Sequence, residues 1–420
     1  MHLQKSTMFL NKWEYLCYME QKNVLVTTTT FPRWENDTTP SFVYELSQRL
    51  SGKYKIIVLA PHCKGAKKIE NIGNLKVIRF IYFKPERLQK LCYGGGIIPN
   101  MRASYLAAIQ MPLLIIFEFL RSYLIIKKEK IEIIHAHWIL PQGFIGILLK
   151  KIFKLPILVT IHGSDLFPLK NRFFKSMQRF VIKNANFVTV NSPAARDELI
   201  KRFPEYSHKI KTIPMGIDTN LFNRRNLRKP SRYSKNKLLL FVGRLSDQKG
   251  LQYLIDSLQE VIRHYPNVKL LIIGEGAYKK FLIDKSISKS VELNIEFLGP
   301  LSHKDISYYY NIADIFVMPS LSNETGTESL GLALLEAMAS GCAVIGTNVG
   351  GIPYIVKNGR NGVLIQQKNS YELSKAIITL LNDPKKSKKI GNNAAEFVKD
   401  NYSWQKISNN FIKVYQGILK

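Results

Sequence analysis

Four charged side chains stand where they could grip a phosphorylated ligand. The segment Phe241-Val-Gly-Arg-Leu-Ser-Asp-Gln-Lys-Gly250 ends an apolar run at Gly243, then offers Arg244 and Lys249 across a tight turn before a helical pattern starts at 251–264. Cations just past a strand end form a pocket for a diphosphate, since a guanidinium can hold two oxygens at once. Alone, this turn reads equally well as a solvated loop. A second segment, Glu324-Thr-Gly-Thr-Glu-Ser-Leu-Gly-Leu-Ala-Leu-Leu-Glu-Ala-Met-Ala-Ser-Gly341, carries Glu328 and Glu336. Residues 329–331 read as a helix start and Gly341 as its stop. Glu328 then lies at the helix mouth, with Glu336 roughly 7–8 Å further along the axis. Open amides at Gly331 and Leu332 would receive an anion, aided by the helix dipole. One carboxylate could meet hydroxyls at one end of such a ligand, and the other a ribose at the opposite end. An incidental acid on an amphipathic helix is the weaker reading, because Glu336 is flanked by Leu334, Leu335, Ala337 and Met338 and buried carboxylates need partners.

A third polar group, His162 in Thr160-Ile-His-Gly-Ser-Asp165, directly follows an apolar run, and His135-Ala-His-Trp138 follows another. Two histidines at i and i+2 share one strand face and would suit a metal, but no carboxylate or cysteine stands nearby in sequence to complete a ligand set. There is no Asp-x-Asp pair to hold a divalent cation on a diphosphate, no Gly-x4-Gly-Lys-Ser/Thr loop, and no Gly-x-Gly-x-x-Gly after the first strand. Basic residues would have to neutralise a diphosphate instead, and ATP hydrolysis and dinucleotide redox chemistry lose support.

These segments need a scaffold that presents strand ends to a common cleft. Short β-branched runs at 24–30, 55–60, 131–136, 157–161 and 187–190 read as buried strands, separated by helical patterns such as 40–50 and 102–128. The alternation predicts a parallel sheet with helices on both faces. After a basic, polar stretch at 224–237, the pattern restarts with strands at 238–242, 269–273, 295–298, 315–318 and 343–346. The fold class expected is α/β, with two Rossmann-like domains facing each other across a cleft: 1–214, 215–402, and a terminal helix at 403–420 packing back on the first. Ligands of such sheets bind beyond the carboxyl ends of the strands.

The totals agree with two cores: 420 residues exceed what one usually supports. Sixty-one Lys and Arg against 31 Asp and Glu give a formal charge of +30, a field that attracts nucleic acid, anionic membranes or phosphorylated substrates. The four cysteines (17, 63, 92 and 342) are scattered, which fits a reducing cytoplasm. Residues 1–23 lack the layout of a secretory leader. The stretch 111–126, interrupted by Glu118 and Arg121, reads as too short and polar to span a bilayer, and better as a helix buried or lying on one.

Taken in order, the segments resemble family 4 of the glycosyltransferases, whose fold is the two-Rossmann GT-B arrangement. The resemblance runs through Thr30-Phe-Pro-Arg33, His135-Ala-His-Trp138, His162-Gly163, Asn191-Ser-Pro193, Ile213-Pro-Met-Gly-Ile-Asp218, Val242-Gly-Arg with Lys249-Gly250, Ile273-Gly-Glu-Gly276 and Phe297-Leu-Gly299. It continues through Ala313-Asp314, Pro319-Ser320, Glu328-x7-Glu336 and Gly350-Gly-Ile-Pro353. It implies a retaining transferase that takes a hexosyl unit from a UDP- or GDP-sugar, with no metal or other cofactor. In that reading Gly243, Arg244 and Lys249 hold the donor diphosphate, and Glu328 with the amides of Leu330, Gly331 and Leu332 meets the donor sugar. Glu336 binds the ribose, and His162 faces the anomeric carbon; the catalytic set is His162, Arg244, Lys249 and Glu328.

Three departures stand out. Residues 31–40 replace the Gly-Gly turn common in relatives, while a Gly run at 94–96 is assigned to an acceptor loop. Tyr354 stands where Glu is frequent, losing one polar contact, and Cys342 where Pro is frequent. Basic and aromatic residues interleave at 84–93 and 170–180, which suits an anionic membrane surface and a saccharide or lipid-linked acceptor at the inner face of the plasma membrane, and reads equally well as a solvated basic surface on a Lys-rich chain. Competing readings are a sugar-nucleotide epimerase or a glucan synthase on the same fold. A nucleic-acid binder is weaker, because no binding module is present.

Overall fold

The computed structural model describes residues 21–420 except 35, 36, 38, 95, 324 and 325. Cys17 and the leader reading of the first residues therefore lie outside the described residues. The first half builds β1 (Asn23–Thr27), α1 (Phe42–Leu50), β2 (Lys55–Pro61), β3 (Ile69–Ile72), β4 (Leu75–Phe80), α2 (Ile97–Ala103), α3 (Tyr105–Ile109), α4 (Met111–Glu129), β5 (Ile133–His137), α5 (Phe144–Phe153), β6 (Ile157–Ile161), α6 (Arg172–Asn184), β7 (Phe187–Val190), α7 (Pro193–Arg202) and β8 (Ile210–Thr212). Their sheet runs β3-β4-β2-β1-β5-β6-β7-β8, parallel except for the edge pair β3–β4.

The second half builds β9 (Lys237–Val242), α8 (Leu251–His264), β10 (Val268–Ile273), α9 (Lys279–Ser288), β11 (Ile295–Gly299), α10 (His303–Ile312), β12 (Ile315–Met318), α11 (Leu332–Ala339), β13 (Ala343–Thr347), α12 (Ile352–Ile355), β14 (Val363–Ile365), α13 (Ser370–Asn382), α14 (Pro384–Tyr402) and α15 (Trp404–Ile418). Its six strands run β11-β10-β9-β12-β13-β14, all parallel.

The central strands are apolar on both faces because helices cover both. In the first sheet Leu25, Ile57, Ile134 and Val159 point into one core with Leu149, Val181 and Leu199 of α5–α7. Val24, Val26, Ile56 and Val58 point into another, shared with Leu46 of α1 and with Phe411 and Tyr415 of α15. The order reverses between β1 and β5 and again between β9 and β12. These switch points open crevices at the carboxyl ends.

The two sheets are joined twice by crossing backbone. The Ile217 amide donates to the Tyr402 carbonyl at 2.7 Å, and the Trp404 amide donates back to Ile217 at 3.2 Å. Gly216 is required there, since a Cβ would sit 2.4 Å from the Trp404 ring. The last helix, α15, then packs on the first half. The Tyr415 hydroxyl lies 2.7 Å from His135 Nδ1, and its ring meets Tyr54 at 5.0 Å between centroids.

Two expectations change. The single helix at 102–128 is three helices. Ser104 is extended and caps α3 by accepting from the Ala107 amide, and Pro112, which has no N–H to donate, sits in the first turn of α4. Counted as Tyr105–Glu129, this stretch is long and apolar enough to cross a membrane by length and composition, contrary to the reading of 111–126 alone. It is nevertheless docked on the sheet through Leu114, Ile125 and Ile126, and through the buried Glu118, which accepts from Gln142 Nε2 at 3.0 Å.

Candidate active site

In the second half the site is built from two turns locked together. A 3-10 turn, Asp247–Lys249, precedes Gly250, whose φ of +66° starts α8. Only glycine fits, because a Cβ at Gly250 would lie 1.8 Å from the Pro319 carbonyl oxygen. That contact brings Lys249 to the segment after β12, where its Nζ lies 2.6 Å from Glu328 Oε2. Ser320 Oγ stands 3.3 Å from the same oxygen, and the Gly331 amide also bonds this carboxylate. Burial pushes the Glu328 carboxyl upward, but the Lys249 ammonium, with the bonds from Ser320 and the Gly331 amide, outweighs it and holds the group below its ordinary value.

The backbone on either side of Glu328 is clamped by Gly350 and Gly351. The Gly351 amide donates to the Glu328 carbonyl at 2.8 Å, and a Cβ on either glycine would come within 2.0 Å of the 328–329 carbonyls. Leu330 is buried, and Gly331, at φ +79°, caps α11. Leu332 opens the helix, whose first-turn amides have no partner within it. One turn on, the half-buried Glu336 accepts from the buried Tyr310 hydroxyl at 3.1 Å. Burial pushes its carboxyl up to about 7, the Tyr310 bond offsetting part of the effect. Arg244 is exposed at the carboxyl end of β9, beside Gly243.

The first half contributes a chain of histidines at the ends of β5 and β6. His135 is fully occupied, with Nδ1 on Tyr415 and Nε2 2.7 Å from Thr160 Oγ1, which leaves it no lone pair for a metal. Among the described residues no group of three or more His, Cys, Asp or Glu is arranged to hold one. His137 Nδ1 lies 2.9 Å from His162 Nε2. The His162 amide donates to Asp165 Oδ1 at 3.1 Å, and its carbonyl accepts from Asn191 Nδ2 at 3.0 Å. Trp138, held at φ +75° where a bulky residue is strained, sets its ring 4.9 Å from the His162 ring, and Phe42 packs beside it, 4.8 Å from the same ring. Burial pushes His162 down to about 3, so at neutral pH its imidazole is uncharged, and it offers a hydrogen bond rather than a proton.

The halves meet at Ser329. Its Oγ donates to Asn191 Oδ1 at 2.7 Å and stands 3.3 Å from Ser192 Oγ. A Cβ on Gly163, whose φ is +92°, would fall 2.4 Å from that same Oγ. His162 and Glu328 are therefore immediate chain neighbours of two groups in van der Waals contact.

The structure thus brings together His162, Lys249, Glu328, Leu330, Gly331, Leu332 and Glu336, with Gly243 and Arg244 at the adjoining strand end. Lys249, expected at the donor diphosphate, and Glu328, expected at the donor sugar, form one ion pair, because the Gly250–Pro319 contact closes the distance between their turns. One reading changes. The Gly331 amide, expected to stay open, faces Glu328. Tyr354 does not simply lose a contact: its hydroxyl donates to Asp197 of α7 at 2.8 Å across the seam. Sequence reasoning missed the supporting roles of His137, Asn191, Ser320 and Ser329, although His135-Ala-His-Trp and Asn191-Ser-Pro were visible motifs. The Gly run ends at Gly96, which caps α2. The adjacent Tyr93 donates to Pro61 at 2.9 Å and lies under the Arg33 guanidinium.

The sequence model described as Glycosyl transferases group 1 matches residues 223–397, and that described as Glycosyltransferase Family 4 matches residues 40–221. An uncharacterized glycosyltransferase of Methanocaldococcus jannaschii is 33% identical over 302 residues, covering 70% of this chain and 78% of that protein. A sucrose-phosphate synthase from Thermosynechococcus elongatus is similar in structure, with a TM-score of 0.74 over 94% of this chain and 99% of its own at 20% identity. The Anabaena protein HepE, solved in complex with UDP, gives 0.72 over 94% and 100% at 18% identity. At these identities the two structures speak for the GT-B fold.

Proposed function

As a member of glycosyltransferase family 4 this chain is a glycosyltransferase, and we propose that it moves a hexosyl unit from a nucleoside-diphosphate sugar to a hydroxyl of a saccharide or lipid-linked acceptor, with retention of anomeric configuration. Its setting is cell-surface glycan synthesis, in the cytoplasm at the inner face of the plasma membrane. The observation that carries this reading is the meeting at Ser329 of a cation–carboxylate pair, a helix mouth and a neutral histidine, contributed by two sheets.

The donor diphosphate takes Arg244 and Lys249 as counter-charges, in place of a metal or other cofactor. The α11 amides and Glu328 orient the sugar, and Glu336 accepts from the ribose hydroxyls. Neutral His162 orients the sugar at the anomeric carbon. The acceptor oxygen attacks that carbon on the face from which the diphosphate leaves. The carbon–oxygen bond to phosphate breaks through an oxocarbenium-like state, and the acceptor proton passes to the departing phosphate oxygen. Rate enhancement comes from positioning and from stabilising the leaving charge.

A thermal-shift screen of UDP- and GDP-sugars tests this, starting with UDP-glucose, with which HepE was also solved. A true donor raises the melting temperature by binding only the folded chain. Arg244→Ala lowers kcat/KM by about 10²–10³. No shift with any donor, or Arg244→Ala at full activity, overturns the reading. Product analysis separates transfer from the rival epimerase: an epimerised donor with no glycosylated acceptor means the latter.

A further inference from the structure

We propose that the outer surface of α3 and α4, with the exposed N-terminal turn of α6 on the same side of the sheet, is a docking face for an anionic lipid bilayer. This deepens the placement proposed above by naming the surface and the lipid chemistry. It is tested without any sugar donor, so it can fail alone.

The helices have an inside-out pattern. Leu114, Glu118, Ser122, Ile125 and Ile126 face the sheet and are buried. The opposite arc carries Tyr105, Ile109, Ile116, Phe117, Leu120 and Leu124, all exposed, at the spacing of a single helical face. Tyr105 is 93% and Ile109 63% exposed, far beyond what scattered surface apolar residues require. Phe173 at the start of α6 adds 66%. The inner arc is pinned by the Glu118–Gln142 bond and by apolar packing, so the outer arc can enter a headgroup layer while the fold stays intact.

Charge selects the occupant. Residues 97–184 contain thirteen Lys and Arg against four Asp and Glu. Of those four acids, Glu118 and Asp165 are buried, and Glu129 is held by Lys76 at 2.6 Å. Arg172 and Lys175 flank Phe173 and are exposed, as are Lys127 and Lys128 at the far end of α4. Exposed apolar side chains together with exposed cations on the same side of the sheet match a bilayer interface bearing anionic headgroups. Topology points this face toward the chemistry. α4 returns from the carboxyl edge of the sheet and α6 leaves that edge after His162, so Ile109, Ile116 and Phe173 border the end of the sheet where the cleft lies. A lipid-linked acceptor would then reach the cleft from the layer the helices rest on.

The test is co-sedimentation with phosphatidylcholine vesicles, with and without phosphatidylglycerol. Wild type binds the anionic vesicles at low salt and is released by added salt. Phe117→Ser combined with Leu120→Ser, both at exposed positions, lowers the partition coefficient by about tenfold or more. Arg172→Ala with Lys175→Ala lowers it by a similar roughly tenfold factor at low salt. Both variants keep the wild-type melting temperature. Absence of wild-type binding to anionic vesicles overturns the proposal, as does binding unaltered in both variants. A concentration-dependent dimer in light scattering that Leu120→Ser abolishes would assign the face to a second copy instead and overturn it equally.

Discussion

Replacing Lys249 with methionine keeps the aliphatic stem but removes the ammonium 2.6 Å from Glu328. Breaking a fully buried ion pair by deleting one partner costs about 3–5 kcal/mol. The Lys249 and Glu328 side chains retain 21% and 15% exposure, which lowers the expectation to about 2–3 kcal/mol at neutral pH. For a lobe of roughly 200 residues each kcal/mol moves the midpoint by about 2–4 °C, so the variant should melt about 5–10 °C lower. The sign of the pH dependence is diagnostic. In wild type the Glu328 pKa lies below its unfolded value, so the pair's contribution is full above the unfolded pKa of about 4.3 and fades as pH falls through the folded one. In Lys249→Met, burial is no longer outweighed and the folded pKa rises above the unfolded one. The penalty should therefore shrink steadily as pH falls from the variant's folded pKa toward the lower one of wild type, because protonation removes the charge that lacks a partner. Urea unfolding of both proteins at neutral and acidic pH measures this. Lys249→Met with Glu328→Gln should recover most of the loss, since the charge that needed a partner is gone. A variant as stable as wild type at neutral pH, or a penalty that does not shrink on acidification, would refute the argument.

Gly163→Ala places a methyl 2.4 Å from Ser329 Oγ on backbone at φ +92°. It should destabilise by about 1–3 kcal/mol and lower kcat by pushing the Glu328 segment off the Asn191 contact; full activity would show that the seam does not position the site. Burial pushes Glu118 up to about 8, partly offset by Gln142. The folded chain thus holds a proton that the unfolded chain releases between about pH 4.3 and 8, so wild-type stability carries a component that falls as pH rises, by up to about 1.4 kcal/mol per unit. Glu118→Gln should remove that slope in urea titrations across this window, and parallel curves would contradict the burial argument.

Much of the architecture was legible because buried parallel strands leave continuous apolar runs: 315–318 and the helix at 251–264 coincide with Ile315–Met318 and Leu251–His264. β3 and β4 were not, because their run is interrupted by charges. Arg79 is buried only because Glu70 and the carbonyls of Pro32 and Lys67 surround its guanidinium, a solution that sequence spacing does not announce. β8 and β14, three residues each, were too short to carry a period. Within the site, residue types were readable from strand ends and a helix mouth. Pairings were not: Lys249 meets Glu328 across 79 residues and Ser329 meets Asn191 across 138, distances at which only tertiary packing decides.

The hydroxyl of Tyr415 seated on His135 has a consequence for biosynthesis. The amino-terminal half emerges from the ribosome first, yet one face of its sheet is partly covered by α15, which is made only after the whole second sheet. Until α15 has cleared the exit tunnel, the apolar surface around Val24, Ile56 and His135 has only part of its cover, so the early half closes fully only after the second half has been made. A premature stop before Trp404 would then spoil the half synthesised first, leaving it sticky rather than merely shortening the half synthesised second.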